Sequence, residues 1–105
     1  MSAVHLNNET FQEFLQSGKP ALVEFWAPWC GHCRNLESAF DEIAREYADR
    51  LHIGKINIDE YPQLTQKYYI EYVPTLVLFS DGAVVDFIIS PGTRDAIAQF
   101  INDTL

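Results

Sequence analysis

The sequence predicts an α/β fold in which a mixed sheet of four to five strands is flanked by about four helices. Three observations carry that expectation. The nearly continuous apolar runs "ALVEFW" and "LHIGKINI" have the pattern of strands covered on both faces. Between them apolar residues recur at i, i+3, i+4 spacing, the mark of a helix crossing between parallel strands with the usual right hand. Two later runs, "TLVLFS" and "VVDFII", flank Asp81-Gly82, the strongest short-range hairpin signal in the chain. At 105 residues and 48% hydrophobic, the chain is long enough for one core, and a single domain over 1–105 is expected.

Taken in order, a short strand is placed around Val4-Leu6. "NNETFQEFLQSG" then offers Asn and Thr caps, Phe11, Phe14 and Leu15 on one helical face, and Gly18 as a stop. "ALVEFW" follows, broken only by Glu24, a carboxylate where an apolar residue is expected. A long helix begins inside "WCGHC" and buries Leu36, Phe40, Ile43 and Tyr47. After the second strand, Asp59 is a cap for a short helix over Leu64 and Tyr68 that ends before Val73-Pro74. The hairpin leads to a last helix capped by Thr93, with Ile97, Phe100 and Ile101 inward. No internal repeat, low-complexity tract or linker interrupts this order.

Seven Lys and Arg against fifteen Asp and Glu give a net charge of −8, which repels phosphate backbones and anionic bilayers, so neither nucleic acid nor a membrane is an expected partner. No run approaches the roughly 20 apolar residues of a membrane span. The first twenty residues lack the apolar core of a signal peptide and carry Glu9 and Glu13. A cytoplasmic monomer is the simplest reading, although a mature secreted domain with an added Met would look the same.

The chemistry concentrates in "WAPWCGHC", which holds both cysteines. Placing Cys30 at a helix start surrounds it with free N–H groups and the positive end of the helix dipole, which favour an anion there. Cys33, three residues on, shares the helical face and is close enough to bridge, so a mixed disulfide at Cys30 can be resolved from within. Gly31 keeps the turn tight beneath an approaching partner. His32, if protonated, would stabilise the Cys30 thiolate and make the disulfide a stronger oxidant; otherwise it is an exposed loop residue. Two other readings stand beside the redox dithiol: a pair of core thiols, and a zinc site using Cys30, Cys33 and His32. The zinc site lacks a second ligand pair, His5 and His52 being the only other imidazoles. Haem attachment needs a His directly after the second Cys, where Arg34 stands.

"ALVEFWAPWCGHC", "GKINIDE", "YVPTLVLF" and "SDGAVV", in that order, resemble the thioredoxin family over essentially the whole chain, and "APWCGHC" is more similar to the catalytic domains of protein disulfide isomerase. The resemblance implies the thioredoxin fold and a thiol-disulfide oxidoreductase that reduces protein disulfides through the Cys30-Cys33 pair, without metal or other cofactor. It implies Cys30 as the exposed nucleophile and Cys33 as the buried resolving thiol. Glu24 would lie beneath Cys33 and exchange its proton, a sensible role for a carboxyl whose pKa burial raises. Lys55 would approach and tune that acid. Pro74 would be cis, leaving the Val73 backbone free to pair with an extended substrate, and Trp29 would be a flat apolar surface beside Cys30, with Trp26 assigned to packing. Since the chain has no nucleotide-binding glycine motif, electrons would come from a separate thioredoxin reductase. The alternatives are an oxidant or isomerase of the protein disulfide isomerase type and a non-catalytic binding module.

The chain departs from the family at Ser38, where thioredoxins usually have a helix-kinking Pro, at Tyr69, Glu71 and Tyr72, which add bulk and negative charge before Val73-Pro74, and at Ser90, which replaces a groove-bordering glycine.

Overall fold

A computed structural model describes residues 3–105. Nine elements follow one another: β1 (Val4–His5), α1 (Asn8–Gln16), β2 (Ala21–Trp26), α2 (Gly31–Glu46), β3 (His52–Asn57), α3 (Pro62–Lys67), β4 (Thr75–Ser80), β5 (Ala83–Ile89) and α4 (Arg94–Thr104). The strands form one sheet in the order β1-β3-β2-β4-β5. β1, β3 and β2 run parallel, whereas β4 and β5 run antiparallel to their neighbours.

Period-two alternation along the central strand divides the core between the sheet's two faces. Leu22 packs with Leu36, Phe40 and Ile43 of α2 and Ile97 and Ile101 of α4. Val23 and Phe25 face the other way, toward Phe11 of α1 and Leu64 of α3. Because β2 is covered on both sides, five of its six residues are buried, which explains its unbroken apolar run. Glu24 sits on the α2 and α4 face with Leu22, and its register partner on β3 is Lys55.

Local signals set the element ends. Asn7 and Thr10 form a reciprocal capping box at α1, and Gly18 lies just beyond its end at φ +86°. Thr93 accepts the Ala96 N–H at the start of α4. The Asp81-Gly82 turn has both residues at positive φ, 52° and 80°, as a two-residue type I′ hairpin requires. The β4–β5 register steps from Leu78↔Asp86 to Phe79↔Val84, so Val85 is the extra residue of a bulge.

Asp59 does not cap α3. That helix starts from Tyr61 without a side-chain cap, with Pro62 in its first turn, and Asp59 instead accepts a hydrogen bond from Trp29. Proline needs no N–H partner in the first turn and brings a preset φ, so this helix begins without a side-chain acceptor.

Gly54 in β3 is required by close packing. A Cβ there would stand 2.6 and 2.8 Å from Leu6 Cδ1 and Cγ and 3.0 Å from Phe14 Cε2. These side chains belong to the packed α1 face of the sheet and cannot all withdraw. Gly54→Ala is therefore expected to lower unfolding stability by about 1–3 kcal/mol, the cost of overpacking, read from the urea midpoint. An unchanged midpoint would mean that this layer relaxes freely.

Candidate active site

The two cysteines sit where β2 ends and α2 begins. Cys30 is the N-cap of α2: its backbone is extended, and its sulfur accepts the Cys33 N–H at 3.1 Å. The sulfur thus performs the task usually given to a Ser or Asp oxygen, satisfying one of the free N–H groups of the first turn. Both thiols are free. They pack with Ala27, against Trp26, Ile58 and Val73. Cys30 is less open than expected, at 7% exposed against 4% for Cys33, because this apolar surround closes over both; its thiol also lies 3.6 Å from the Val73 carbonyl. That carbonyl precedes Pro74, and the Val73–Pro74 peptide bond is cis.

Burial shapes the proton affinities. The Cys33 thiol is pushed up to about 12, first by desolvation and then by its hydrogen bond to Cys30, with the Glu24 charge adding to the shift. Glu24 is 1% exposed, and neither of its oxygens has a hydrogen-bond partner among the described residues. Desolvation raises its pKa from 4.5 to about 7, against the opposing pull of Lys55, while the Glu37 and Asp41 carboxylates push the same way as burial. Lys55 is buried as well, but its Nζ lies 4.8 Å from the centroid of the Trp26 ring, and it acts on Glu24 through space rather than as an ion pair. Glu24 is thus a carboxyl that accepts and releases a proton near neutrality, buried beneath the active-site turn on the α2 face of the sheet. Trp26, assigned to packing, also carries this cation–π contact.

Trp29 is 65% exposed. Its indole N–H donates to Asp59, at 3.1 Å to Oδ2 and 3.4 Å to Oδ1, which fixes the ring's orientation. His32 is exposed, and its Nε2 lies 3.3 Å from the Pro91 carbonyl. When it donates to that oxygen, the neutral ring keeps its proton on Nε2 and leaves Nδ1 as the acceptor. Gly31 has ordinary negative φ, and a Cβ there would meet only the Arg34 guanidinium, at 3.7 Å. The tightness of the turn therefore does not depend on glycine.

Two contacts escaped sequence reasoning. Asp59 is thirty residues from Trp29, a separation without sequence periodicity. Arg34 donates to the Pro28 carbonyl at 2.9 Å and straps the turn from within the helix, a contact that its plain surface position does not announce. Among the departures, α2 runs unbroken through Ser38. Ser90 lies at φ 49°, with its N–H bonded to the Pro74 carbonyl at 2.8 Å, a left-handed position where glycine would be unstrained. Tyr69 and Tyr72 are exposed, at 87% and 60%. Among the described residues, no group of three or more His, Cys, Asp or Glu is arranged to hold a metal.

Two sulfurs able to exchange one disulfide between them, with a titratable carboxyl buried behind, belong to the class of thiol-disulfide oxidoreductases. The chain is a member of the thioredoxin family, whose family description, "Thioredoxin", matches residues 2–103. It is 40% identical over 104 residues to "Thioredoxin 1" of Synechococcus elongatus, covering 98% of this chain and 97% of that protein. It is 39% identical over 105 residues to "Thioredoxin 1" of Nostoc sp., covering 99% and 98%. With "Thioredoxin M-type, chloroplastic" of Chlamydomonas reinhardtii it shares 41% identity over 101 residues, covering 95% and 72%. It is an enzyme whose redox chemistry runs through the cysteine pair.

The Glu24 shift has a defined sign in stability. The folded state holds this proton more tightly than the unfolded chain, so the contribution favours folding at low pH and is lost as pH rises from about 4.5 through about 7. The loss is on the order of 3 kcal/mol at about 1.4 kcal/mol per pKa unit. Urea titrations at several pH values should show this slope, and Glu24→Gln should remove most of it and be the more stable form at alkaline pH.

Proposed function

We propose that Cys30 is the nucleophile of a protein disulfide reductase, Cys33 its resolving thiol and Glu24 the group that takes the Cys33 proton. The observation that carries this reading is the Cys33 N–H donated to the Cys30 sulfur at the start of α2, which favours negative charge on that sulfur. A Cys30 thiolate attacks a substrate disulfide; a mixed disulfide forms and one substrate thiolate leaves. The hydrogen bond and charge that Cys30 contributed to Cys33 are then gone, so the Cys33 proton becomes easier to remove. Glu24 accepts it, Cys33 attacks the Cys30 sulfur, and the second substrate thiolate leaves, completing a two-electron transfer. Lys55 tunes Glu24 through its charge.

Trp29, Gly31, Val73 and Pro74 form the docking surface in this reading. Trp29 offers its exposed indole face, Gly31 presents no side chain, and Val73 and Pro74 supply the main chain against which an extended disulfide-containing segment lies. The chain works as a single domain and a monomer in the cytoplasm, re-reduced by a thioredoxin reductase. Among the described residues, no helix is long and apolar enough to cross a membrane.

Capture tests the roles. Cys33→Ser should accumulate mixed disulfides with substrate proteins, and Cys30→Ser should not; the reverse pattern would overturn the assignment. Wild-type protein should reduce insulin disulfides when supplied with a thioredoxin reductase.

His32 favours a second reading, that of an oxidant or isomerase, because an imidazole between the two cysteines would, if protonated, stabilise the Cys30 thiolate and with it the reduced form. Other proteins bracket the range, with thioredoxin at about −270 mV and protein disulfide isomerase at about −180 mV. A glutathione redox titration should place this pair between them, and His32→Pro should lower the potential. A value at or below about −270 mV, or no change in the variant, would remove His32 as the tuning residue.

A further inference from the structure

We propose that His5, Lys55 and Glu24 form the route by which the buried carboxyl beneath the cysteine pair exchanges its proton with solvent. The inference rests on Glu24 as the acceptor of the Cys33 proton and adds how that proton leaves. The three residues make one cross-strand row: His5 of β1 is in register with Lys55 of β3, and Lys55 with Glu24 of β2. The row runs from the edge of the sheet to its centre.

A proton loaded onto Glu24 either returns to Cys33 when the dithiol is re-formed or leaves to solvent. The way on to solvent through the dithiol is poor, because Cys33 is 4% exposed and Glu24 is 1% exposed. On the sheet's other side Glu24 is paired with Leu76 of β4, which carries no proton. The charges on it from α2, Glu37 and Asp41, favour the protonated carboxyl. Asp41 is also occupied as acceptor of the Ala3 N–H, at 3.3 Å.

Along the row the situation differs. Lys55 and His5 both line a recess of about 220 Å³, together with Asn7, Asn57, Glu60 and Tyr61. His5 is exposed. Lys55 and His5 also converge on one indole: the Lys55 Nζ is 4.8 Å from the Trp26 ring centroid, and the His5 ring meets it edge-on at 5.9 Å. Trp26 lies two residues from Glu24 on the same face, and its buried Nε1, like both Glu24 oxygens, has no hydrogen-bond partner among the described residues. Such groups suit hand-off through water, which bonds buried polar atoms that protein leaves unpaired.

The proton balance is simple. With water relaying between groups that do not bond each other directly, Glu24 gives its proton to Lys55 as the Lys55 ammonium releases one of its own outward to the His5 imidazole. His5 becomes an imidazolium and releases that proton to bulk water, leaving Lys55 unchanged. Imidazole is the side chain suited to this, since it takes up and releases protons between about pH 5 and 8. The groups around the outer end are the Lys55 ammonium, the Glu60 carboxylate and the Tyr61 phenol, with Asn7 and Asn57 as neutral hydrogen-bond partners. His5 touches neither the sulfurs nor a substrate and acts through Glu24.

The test compares wild type with His5→Gln in a bulky buffer that does not enter the recess. At a pH below about 7, where Glu24 starts protonated and must empty before it can take the Cys33 proton, the single-turnover rate of mixed-disulfide resolution should fall about tenfold, short of the roughly 10²–10⁴ of a direct general base. Added imidazole should restore it, while the redox potential and the unfolding midpoint stay where they are. An unchanged rate, or a loss that imidazole does not restore, overturns the route. A second measurement needs no substrate: proton exchange at Glu24, followed through the line width of its carboxyl carbon, should slow in the variant. Unslowed exchange also overturns the route. If wild type fails to reduce insulin while this exchange still slows in His5→Gln, the reductase reading falls and the route stands.

Discussion

The hydrogen bond from the Cys33 N–H to the Cys30 sulfur holds the helix and the chemistry together. A helix start leaves N–H groups without partners, and here the acceptor is a sulfur of the redox pair. The cap therefore sets where α2 begins, and with it which residues of α2 reach the sheet: Leu36, Phe40 and Ile43 below, Cys33 at the top. It also couples structure to redox state. Whatever bonds to the Cys30 sulfur changes the charge on the cap, and so changes the environment of the thiol one turn along.

That coupling has a counterpart in the sheet. A carboxyl in the middle of a strand covered on both faces is costly, because the charged form loses its water without gaining a partner. The fold tolerates Glu24 by letting it hold a proton to about pH 7, and by setting Lys55 close enough to oppose that shift without pairing with it. The stability given up at alkaline pH is the structural side of a group poised to trade protons near neutrality. Trp26 joins the two, since its ring supports the Lys55 ammonium and its neighbour in register on β3 follows that lysine by two residues.

Much of this was legible in the residue order. Alternation and helical periodicity marked the sheet and its helices, the Asp81-Gly82 turn announced the hairpin, and Thr93 and Asn7 marked helix starts, because each signal acts over a few residues. The role assumed for Asp59 was wrong for the same reason. Local rules see a good cap candidate before a helix, whereas the carboxylate serves a tryptophan thirty residues away and Pro62 starts the helix instead. Gly31 has an ordinary backbone, whereas Gly54, unremarked in a strand, is the glycine that packing demands.

The sequence by itself determined the strand–turn–helix setting of Cys30 and Cys33 and the unusual carboxylate on the strand before them. These depend on spacing and hydrophobic pattern, which are properties of neighbouring residues. Only the tertiary structure decided that both sulfurs lie nearly closed over, that His32 reaches the Pro91 carbonyl, that Arg34 straps the turn, and that His5, Lys55 and Glu24 fall into one row. Such placements follow from strand register and from side chains meeting across distant segments, and no local periodicity encodes them.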